Sequence, residues 1–299
     1  MPEVSVIIPA YNSARFLAES IQSVLQQTFV DLELFVIDDG STDDTRQVVA
    51  AFESDPRVRY VHQQNRGAAT ARNRGITHSS GKYVAFLDAD DLWSPEKLQK
   101  QVAVLQENSE IAAVHTASYL VQLDGQNREV SRCIQRRPTF LEPTLYEELL
   151  YRMVIIGSAS SVMVRREVLN QVGPFDEQTR ISDRDMWQRI AEHYGFHSID
   201  EPLVSIRKHQ TNMTSNRVMI AENQLRYFHK LSGEIPSQFR FHLPRVAISR
   251  FSRLSLGLMR RGHWQVAFAA GWLSLSNACR HPSALLHVTS RYFRNLWSR

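Results

Sequence analysis

The chain has 299 residues, of which 43% are hydrophobic and 22% are charged. This composition excludes a disordered protein, and the length allows one large domain or a domain with an appendage. The formal net charge of +4 conceals an asymmetry, because residues 217–299 hold 13 Lys/Arg and 2 Asp/Glu, a net charge of +11, whereas residues 1–216 carry −7. The acidic residues 1–216 and the basic residues 217–299 predict two different roles, and the basic region suits binding to an anionic surface.

The cysteine count and the apolar segments indicate the cellular compartment. Cys133 and Cys279 stand in no metal or redox spacing, so we expect buried or half-buried free thiols and no disulfide. The N-terminus has no basic region and no apolar run of secretory length. No segment reaches the roughly 20 apolar residues of a membrane span. The sequence therefore predicts a cytoplasmic protein.

Four apolar runs alternate with helical patterns in the first third of the chain. They predict strands near residues 4–8, 32–37, 58–61 and 83–87, and helices near 14–27, 43–53, 68–78 and 95–107. Continuous Val/Ile/Leu/Phe runs are typical of strands that are buried on both faces of a parallel sheet. The order of the elements therefore predicts an α/β fold with a mostly parallel, right-handed crossover sheet and flanking helices.

The pattern changes after residue 107. It predicts strands at 111–121 and 158–164, a loop at 122–143, helices at 165–172 and 183–194, and an extended segment at 196–207. The end of the chain predicts four helices, at 218–231, 240–260, 264–278 and 283–297. We therefore expect a main domain over 1–215, with halves at about 1–107 and 108–215, followed by a basic helical region over 216–299.

Polar clusters follow the four predicted strands at the points where the strands end. They are Tyr11-Asn12, residues 38–41, residues 65–67 and residues 88–91. Ligands of parallel sheets bind outside the carboxyl ends of the strands, so we expect these clusters to converge. Crowded carboxylates stay ionised most readily around a cation, and Mg²⁺ and Mn²⁺ prefer oxygen ligands. The sequence therefore predicts a Mn²⁺ or Mg²⁺ site at Asp88 and Asp90, beside an anionic ligand.

A structural role competes with several of these assignments. Asp91 also suits the cap of a turn, and Ser41 or Thr42 suits the N-cap of the next helix. Capping does not explain Asp38 and Asp39, which precede the cap, and a carboxylate there can accept the N3–H of a uracil ring. Tyr11 offers an aromatic face to that ring, and the alternative is a tyrosine at a strand end with its hydroxyl in water.

The sequence has no glycine-rich phosphate loop and no Walker lysine. A diphosphate must therefore be bound by the metal and by basic side chains. Arg66, Arg72 and Arg74 are the candidates, and a solvated arginine face is the alternative.

Four motifs, in this order and spacing, resemble glycosyltransferase family 2. They are V-S-V-I-I-P-A-Y-N, D-D-G-S-T-D-D-T, N-R-G-x-x-x-A-R-N and F-L-D-A-D-D, and the resemblance covers roughly residues 3–210. It implies the GT-A fold and transfer of a sugar from a nucleotide donor with inversion at the anomeric carbon. It places Tyr11 and Asp39 on the base, and Asp88 and Asp90 on the ribose, the pyrophosphate and the divalent metal. Asp90 is the expected direct ligand, and Pro9 and Arg72 complete the predicted nucleotide site.

The family's catalytic base usually lies in a Glu-Asp-x-Asp-x-Trp pattern before a helix. Here the matching stretch is S-D-R-D-M-W, in which Asp183 keeps the aspartate and Ser182 replaces the glutamate. The resemblance implies that Asp183 is the general base, and the alternative is a carboxylate that only stabilises a helix start. His209 lies in a segment that resembles the family's later Arg-x-His, which implies a contact with the metal and the pyrophosphate; the alternative is a surface histidine. Residues 157–161 fall where such enzymes line the acceptor.

The sequence as a whole predicts a metal-dependent, inverting glycosyltransferase that moves one sugar, from a UDP-sugar by preference, in cell-surface polysaccharide or lipopolysaccharide synthesis. The Gln-x-x-Arg-Trp signature of processive synthases is absent, and the expected acceptor is a glycan or a lipid-linked sugar. The basic helices predict peripheral contact with the anionic inner face of the cell membrane, with packing on the main domain as the alternative. No nucleic-acid partner is expected. A nucleotidyltransferase would need a glycine-rich loop, so the competing function is a non-catalytic nucleotide-sugar-binding or scaffold protein.

Overall fold

The computed structural model describes residues 1–136, 149, 158–179, 181–209, 212, 217–259 and 264–280. The chain divides into two units, Met1–Asn212 and Met213–Arg299. The helix predicted over 283–297 and the end of the loop predicted over 122–143 lie outside the described residues.

The first unit contains a mixed sheet with helices on both faces. Its strands are β1 (Val4–Ala10), β2 (Leu32–Asp38), β3 (Val58–His62), β4 (Tyr83–Phe86), β5 (Leu92–Trp93), β6 (Ile111–Leu123), β7 (Glu129–Gln135), β8 (Val162–Arg165) and β9 (Gly195–Lys208). Its helices are α1 (Ala14–Leu25), α2 (Thr45–Ala50), α3 (Ala68–His78), α4 (Lys97–Glu107), α5 (Arg166–Val172) and α6 (Ser182–Ala191). The strands run in the order β3-β2-β1-β4-β8-β6-β9-β5, with β7 paired to β6. The first four strands are parallel, as predicted.

Two apolar layers cover the faces of the sheet, and they explain the continuous apolar runs. Val4, Val6 and Ile8 of β1 pack into one layer with α1 and α4. Ile7 of the same strand packs into the other layer with α3, α5 and α6. Successive side chains of a strand point to opposite faces, so a strand covered on both faces needs apolar residues at every position.

The prediction of a loop from residue 122 is wrong for residues 122–123 and 129–135, which are strand, and right for the turn at 124–128. β6 continues to Leu123, and β7 pairs with it in the antiparallel direction. Asn127 in the connecting turn adopts a positive φ of 62°, a conformation that asparagine tolerates. Nearly all of β7 is exposed, so this strand has no buried face and no apolar alternation to reveal it. Cys133 on β7 is a free thiol as predicted, but it is exposed rather than buried.

The described part of the second unit is helical. Its helices are α7 (Arg217–Glu234), α8 (Leu243–Met259) and α9 (Trp264–Arg280), with a 3-10 helix at Ser237–His242. Three of the four predicted helices are therefore confirmed. Phe228 of α7 meets Phe251 of α8 edge to face, with ring centroids 5.2 Å apart, a favourable arrangement for aromatic pairs. Among the helices of the described ranges, none has the length and apolar character needed to cross a membrane.

Candidate active site

The carboxyl ends of β1, β2 and β4 meet at one edge of the sheet. Ala10 of β1 pairs with Asp38 of β2, and Ile7 of β1 pairs with Phe86 of β4. Pro9 lies within β1, one residue before its end. Because the three strands are parallel, the polar residues that follow them emerge at the same edge, where such sheets bind ligands.

Asp39 is buried, and its carboxylate holds the loop that follows β3. One oxygen accepts hydrogen bonds from the Gln63 side chain at 2.7 Å and from the Arg66 N–H at 2.8 Å. The other oxygen accepts the Gly67 N–H at 2.7 Å. A carboxylate offers about four acceptor positions, so one position remains for the N–H of a ligand.

Tyr11 is exposed in the loop after β1, and this loop is hydrogen-bonded to the loop after β2. Its side chain is 51% exposed, so its ring is available to stack on a planar ligand. The neighbouring Asn12 side chain accepts the Thr42 N–H at 2.8 Å.

Gly40 has a φ of +78°, and a Cβ there would lie 2.8 Å from the Asn65 nitrogen. Only glycine therefore fits where the loops after β2 and β3 touch.

The competing N-cap role of Ser41 and Thr42 is wrong. α2 begins at Thr45, and the Asp43 carboxylate accepts the Thr45 N–H at 3.0 Å. The Ser41 hydroxyl instead accepts the Asn12 N–H at 2.9 Å. This segment therefore joins the loop after β2 to the loop after β1.

Asp88 is held by one partner on each carboxylate oxygen. Oδ1 contacts the Arg72 guanidinium at 2.8 Å, and Oδ2 accepts the Ser158 hydroxyl at 3.1 Å. The Asp88 side chain is still 34% exposed. Arg72 is buried, so it does not belong to a solvated arginine face, whereas Arg66 and Arg74 are exposed.

Asp90 has one oxygen that is held and one that is open. Oδ2 contacts His209 Nε2 at 3.0 Å and accepts the Asn212 side-chain amide at 2.8 Å. His209 stacks on Phe16 with ring centroids 4.5 Å apart, which fixes the imidazole. Oδ1 has no hydrogen-bond partner among the residues that the structure describes. Asp90 therefore offers the open carboxylate oxygen of the D-A-D segment.

Asp91 is buried and joins two distant segments. Its Oδ2 accepts the Ser160 hydroxyl at 2.6 Å, and its Oδ1 accepts the Arg207 N–H at 3.0 Å. Burial, together with the charges of Asp90 and Asp88, raises the pKa of Asp91 well above its ordinary value of 3.8. Its backbone N–H also donates to the Asp88 carbonyl at 3.0 Å and closes a turn. The side chain of Asp91 does not cap this turn alone, because it also binds Ser160 and Arg207.

The donor atoms at this edge fit a divalent cation that is completed by a ligand. Across the described ranges, no group of three or more His, Cys, Asp or Glu is arranged to hold a metal. Mg²⁺ and Mn²⁺ beside phosphates use only one or two carboxylates, and phosphate and water fill the other positions. The open oxygen of Asp90 and the exposed carboxylate of Asp88 meet that requirement. His209 faces Asp90 and orients its carboxylate.

Asp183 lies half-buried in the first turn of α6. Its Oδ1 accepts the N–H of the adjacent Arg184 at 2.8 Å, and its Oδ2 has no partner within the described part of the chain. The nearby Asp185 is buried and paired with Arg189 at 2.9 Å. Asp183 is therefore the carboxylate of this helix start that can receive a proton.

Several side chains at the site were not predicted. Residues 157–161 were expected on the acceptor side, but the hydroxyls of Ser158 and Ser160 contact Asp88 and Asp91. Serines in a turn are common, so their sequence signal is weak. Asn212 carries no motif either, although it follows His209 by three residues.

The sequence matches a known family over most of the first unit. Residues 5–173, more than half of the chain, match the sequence profile of glycosyl transferase family 2. The chain belongs to glycosyltransferase family 2. It is 37% identical over 182 residues to an uncharacterised glycosyltransferase of Nostoc sp. (strain PCC 7120), covering 58% of this chain and 54% of that protein. The family 2 chain therefore spans about half the length of this relative.

Two further relatives carry more informative names. The chain is 34% identical over 220 residues to the putative teichuronic acid biosynthesis glycosyltransferase TuaG of Bacillus subtilis, covering 72% of this chain and 83% of TuaG. It is 43% identical over 107 residues to WfgD of Escherichia coli, a UDP-Glc:alpha-D-GlcNAc-diphosphoundecaprenol beta-1,3-glucosyltransferase, covering 36% and 42%.

Solved structures share the fold. The mannosyltransferase PcManGT from Pyrobaculum calidifontis, in complex with GDP-Man and Mn²⁺, matches with a TM-score of 0.61 at 22% identity, covering 98% of this chain and 80% of that chain. S. aureus TarS residues 1–349, in complex with UDP-GlcNAc, matches with a TM-score of 0.57 at 18% identity, covering 92% and 89%. The predicted GT-A fold with a C-terminal helical region is therefore confirmed.

Substitution of Asp91 by asparagine tests the burial of its carboxyl group. Because the folded-state pKa is raised, the native state binds the proton more tightly than the unfolded chain, and stability falls as pH rises above about 4 through the raised pKa. Asparagine removes this loss and keeps acceptor oxygen for Ser160 or Arg207. We expect the unfolding free energy of Asp91→Asn, relative to wild type, to increase between about pH 4 and pH 7 in urea titrations without metal. Parallel pH curves for the two proteins would contradict this burial effect.

Proposed function

We propose that the first unit is the catalytic domain of a metal-dependent, inverting glycosyltransferase that moves one sugar from a UDP-sugar to an acceptor hydroxyl. The observation that carries this proposal is the meeting of Asp39, Asp88 and Asp90 at one edge of the sheet, with one acceptor position open on Asp39 and one oxygen open on Asp90. The complexes of PcManGT with GDP-Man and Mn²⁺ and of TarS with UDP-GlcNAc support a nucleotide-diphosphate donor and a divalent cation.

The donor would lie across the carboxyl ends of the strands. In this proposal the base stacks on Tyr11 beside Pro9 and donates its N3–H to the open position of Asp39. Asp88 and Arg72 lie on the ribose and the diphosphate. Asp90 and Asp88 would hold Mn²⁺ or Mg²⁺, with His209 orienting the Asp90 carboxylate. The bound cation would supply positive charge beside the diphosphate.

Asp183 acts as the general base in the proposed reaction. Its open oxygen takes the proton of an acceptor hydroxyl while the hydroxyl oxygen bonds to the anomeric carbon. The bond between that carbon and the diphosphate oxygen breaks, and its electron pair leaves with the nucleoside diphosphate. Attack opposite the leaving group inverts the anomeric carbon.

The names of two relatives support an acceptor class. TuaG is named for teichuronic acid biosynthesis, and WfgD transfers to a sugar on diphosphoundecaprenol. We therefore propose a role in cell-surface polysaccharide or lipopolysaccharide synthesis, with a glycan or lipid-linked acceptor and one sugar added per encounter. A non-catalytic scaffold would bind the same nucleotide sugar, but it would release no nucleotide from it.

Nucleotide binding with and without metal tests the donor site. We expect calorimetry to show UDP binding that needs Mn²⁺ and exceeds the binding of GDP and dTDP. Asp90→Asn should abolish the metal-dependent part, because it removes the charge at the open oxygen, whereas Asp44→Asn, which removes an exposed carboxylate just before α2, should retain it. The absence of binding by wild type to any of the three nucleotides would refute the proposed donor site.

Replacement of Asp183 separates chemistry from binding. General-base catalysis contributes about 10²–10⁴-fold to rate, so Asp183→Asn should lower the release of UDP from UDP-sugars by about that factor. The affinity for UDP with Mn²⁺ should stay within about twofold, because Asp183 does not hold the donor. Glu192→Gln is the matched control and should keep the full rate, since Glu192 is a partly exposed carboxylate at the other end of the same helix. A full rate in Asp183→Asn would exclude Asp183 as the base.

We also propose that the second unit contacts the anionic inner face of the cell membrane. Phe268, Trp272 and Leu275 of α9 are 66%, 71% and 56% exposed, and their spacing places them on one face of the helix. This unit carries a net charge of +11. An apolar stripe with a tryptophan in a basic region suits an anionic bilayer surface.

Vesicle flotation tests the membrane contact. The full chain should float with vesicles that contain phosphatidylglycerol, much less with phosphatidylcholine alone, and less as salt increases. The double change Trp272→Ser and Leu275→Ser should reduce flotation several-fold. Phe241→Ser, which alters an exposed aromatic residue outside α9, is the control. Equal flotation of the double variant and the wild type would rule out α9 as the contact.

A further inference from the structure

Asn73 ends the N-R-G-x-x-x-A-R-N motif, and the donor site gives it no role. Its side chain forms hydrogen bonds with the backbone of Phe175, which lies 102 residues further along the chain. Its amide nitrogen donates to the Phe175 carbonyl at 2.9 Å, and its amide oxygen accepts the Phe175 N–H at 2.8 Å. The nitrogen also contacts the Glu177 carboxylate at 3.1 Å. One side chain of α3 therefore fixes both hydrogen-bonding groups of the Phe175 backbone.

The ring of Phe175 contacts three parts of the site. It is buried, and it meets Phe86 edge to face at a centroid distance of 5.3 Å and Trp187 at 6.0 Å. The Arg72 guanidinium lies over the same ring, 5.8 Å from its centroid. Phe86 ends β4, two residues before Asp88. The Phe175 ring thus packs against β4, which precedes Asp88, and against Arg72, which pairs with Asp88.

The third contact leads to the proposed base. Trp187 lies on α6 four residues after Asp183, so the two side chains share one face of the helix. Packing of Trp187 on Phe175 therefore contributes to the rotation of α6, on which the direction of Asp183 depends. Arg189 of α6 donates to the carbonyl of Pro174 at 2.7 Å. The backbone at 174–175 is consequently fastened to α6 on one side and to α3 on the other.

We propose that Asn73 and Phe175 are positioning residues that fix Asp183 relative to Asp88. The inference rests on the proposed roles of those two aspartates. Asn73 and Arg72 are adjacent on α3. This helix therefore contacts Asp88 through Arg72, and it contacts α6 indirectly, because Asn73 binds Phe175 and Phe175 packs on α6. The alignment of base and donor matters because a misplacement of about 1 Å can lower a rate about 10²-fold.

Hydrogen exchange tests the clamp without any substrate. In the full chain, Asn73→Ala should speed exchange about tenfold at the Phe175 amide and in the first turns of α6. Thr77→Ala is the matched control, because Thr77 is exposed one turn later on α3 and its hydroxyl bonds within that helix. Phe175→Leu is the second variant and removes the ring contacts while keeping the backbone clamp. It should speed exchange in α6 but not at the residue 175 amide. Unchanged exchange at residues 175–187 in both variants would overturn the proposal.

The rate of UDP release per UDP-binding site separates positioning from stability. Calorimetry with UDP and Mn²⁺ counts the sites, and UDP release from UDP-glucose or UDP-GlcNAc with water as acceptor gives the rate. We expect Asn73→Ala to keep the UDP affinity within about twofold and to lose about tenfold or more in rate per site. Fewer sites with an unchanged rate per site would show a purely structural role and overturn the proposal. If wild type binds no UDP, the proposed function fails, while the exchange data still decide whether Asn73 clamps α6.

Discussion

The buried carboxylate of Asp91 is the contact on which the candidate site depends. A buried carboxyl group is costly unless its oxygens are hydrogen-bonded. Ser160 and Arg207 meet this need from 69 and 116 residues away. The same two residues reach the neighbouring aspartates, because the Ser160 hydroxyl accepts the Asp88 N–H and the Arg207 guanidinium donates to the Asp90 carbonyl. Asp91 therefore joins the halves of the first unit at the point where the backbone of Asp88 and Asp90 is also held.

Alternation along the D-A-D-D segment explains why the exposed aspartates stand two residues apart. Asp88 and Asp90 are partly exposed, whereas Ala89 and Asp91 are buried. The segment forms a turn, closed by the Asp91 N–H on the Asp88 carbonyl at 3.0 Å, and the turn presents Asp88 and Asp90 outward while Ala89 and Asp91 pack inward. The exposed pair is not equivalent, since both oxygens of Asp88 have protein partners and Asp90 keeps one open. This difference supports Asp90 as the direct metal ligand in the proposed site.

The parts that could be predicted from the sequence are those governed by burial of local segments. The strands β1, β2 and β4 are covered on both faces, so their apolar runs identify them. The edge strand β7 has no buried face and was missed. The contacts of Ser158 with Asp88 and of Asn212 with Asp90 span 70 and 122 residues. No local pattern encodes such pairings, so the aspartates could be predicted while the groups that orient them could not.

Helix α3 gives the spacing of the N-R-G-x-x-x-A-R-N motif a structural meaning. Just before the helix, the Gly67 N–H binds Asp39. Within it, Arg72 binds Asp88, and Asn73 binds the backbone of Phe175. At 1.5 Å per residue, the five residues from Gly67 to Arg72 span about 7.5 Å along the helix axis. A single rigid element therefore sets the separations among the proposed base-binding carboxylate, the diphosphate end of the site and the helix of the general base, and a loop could not hold three such groups in register.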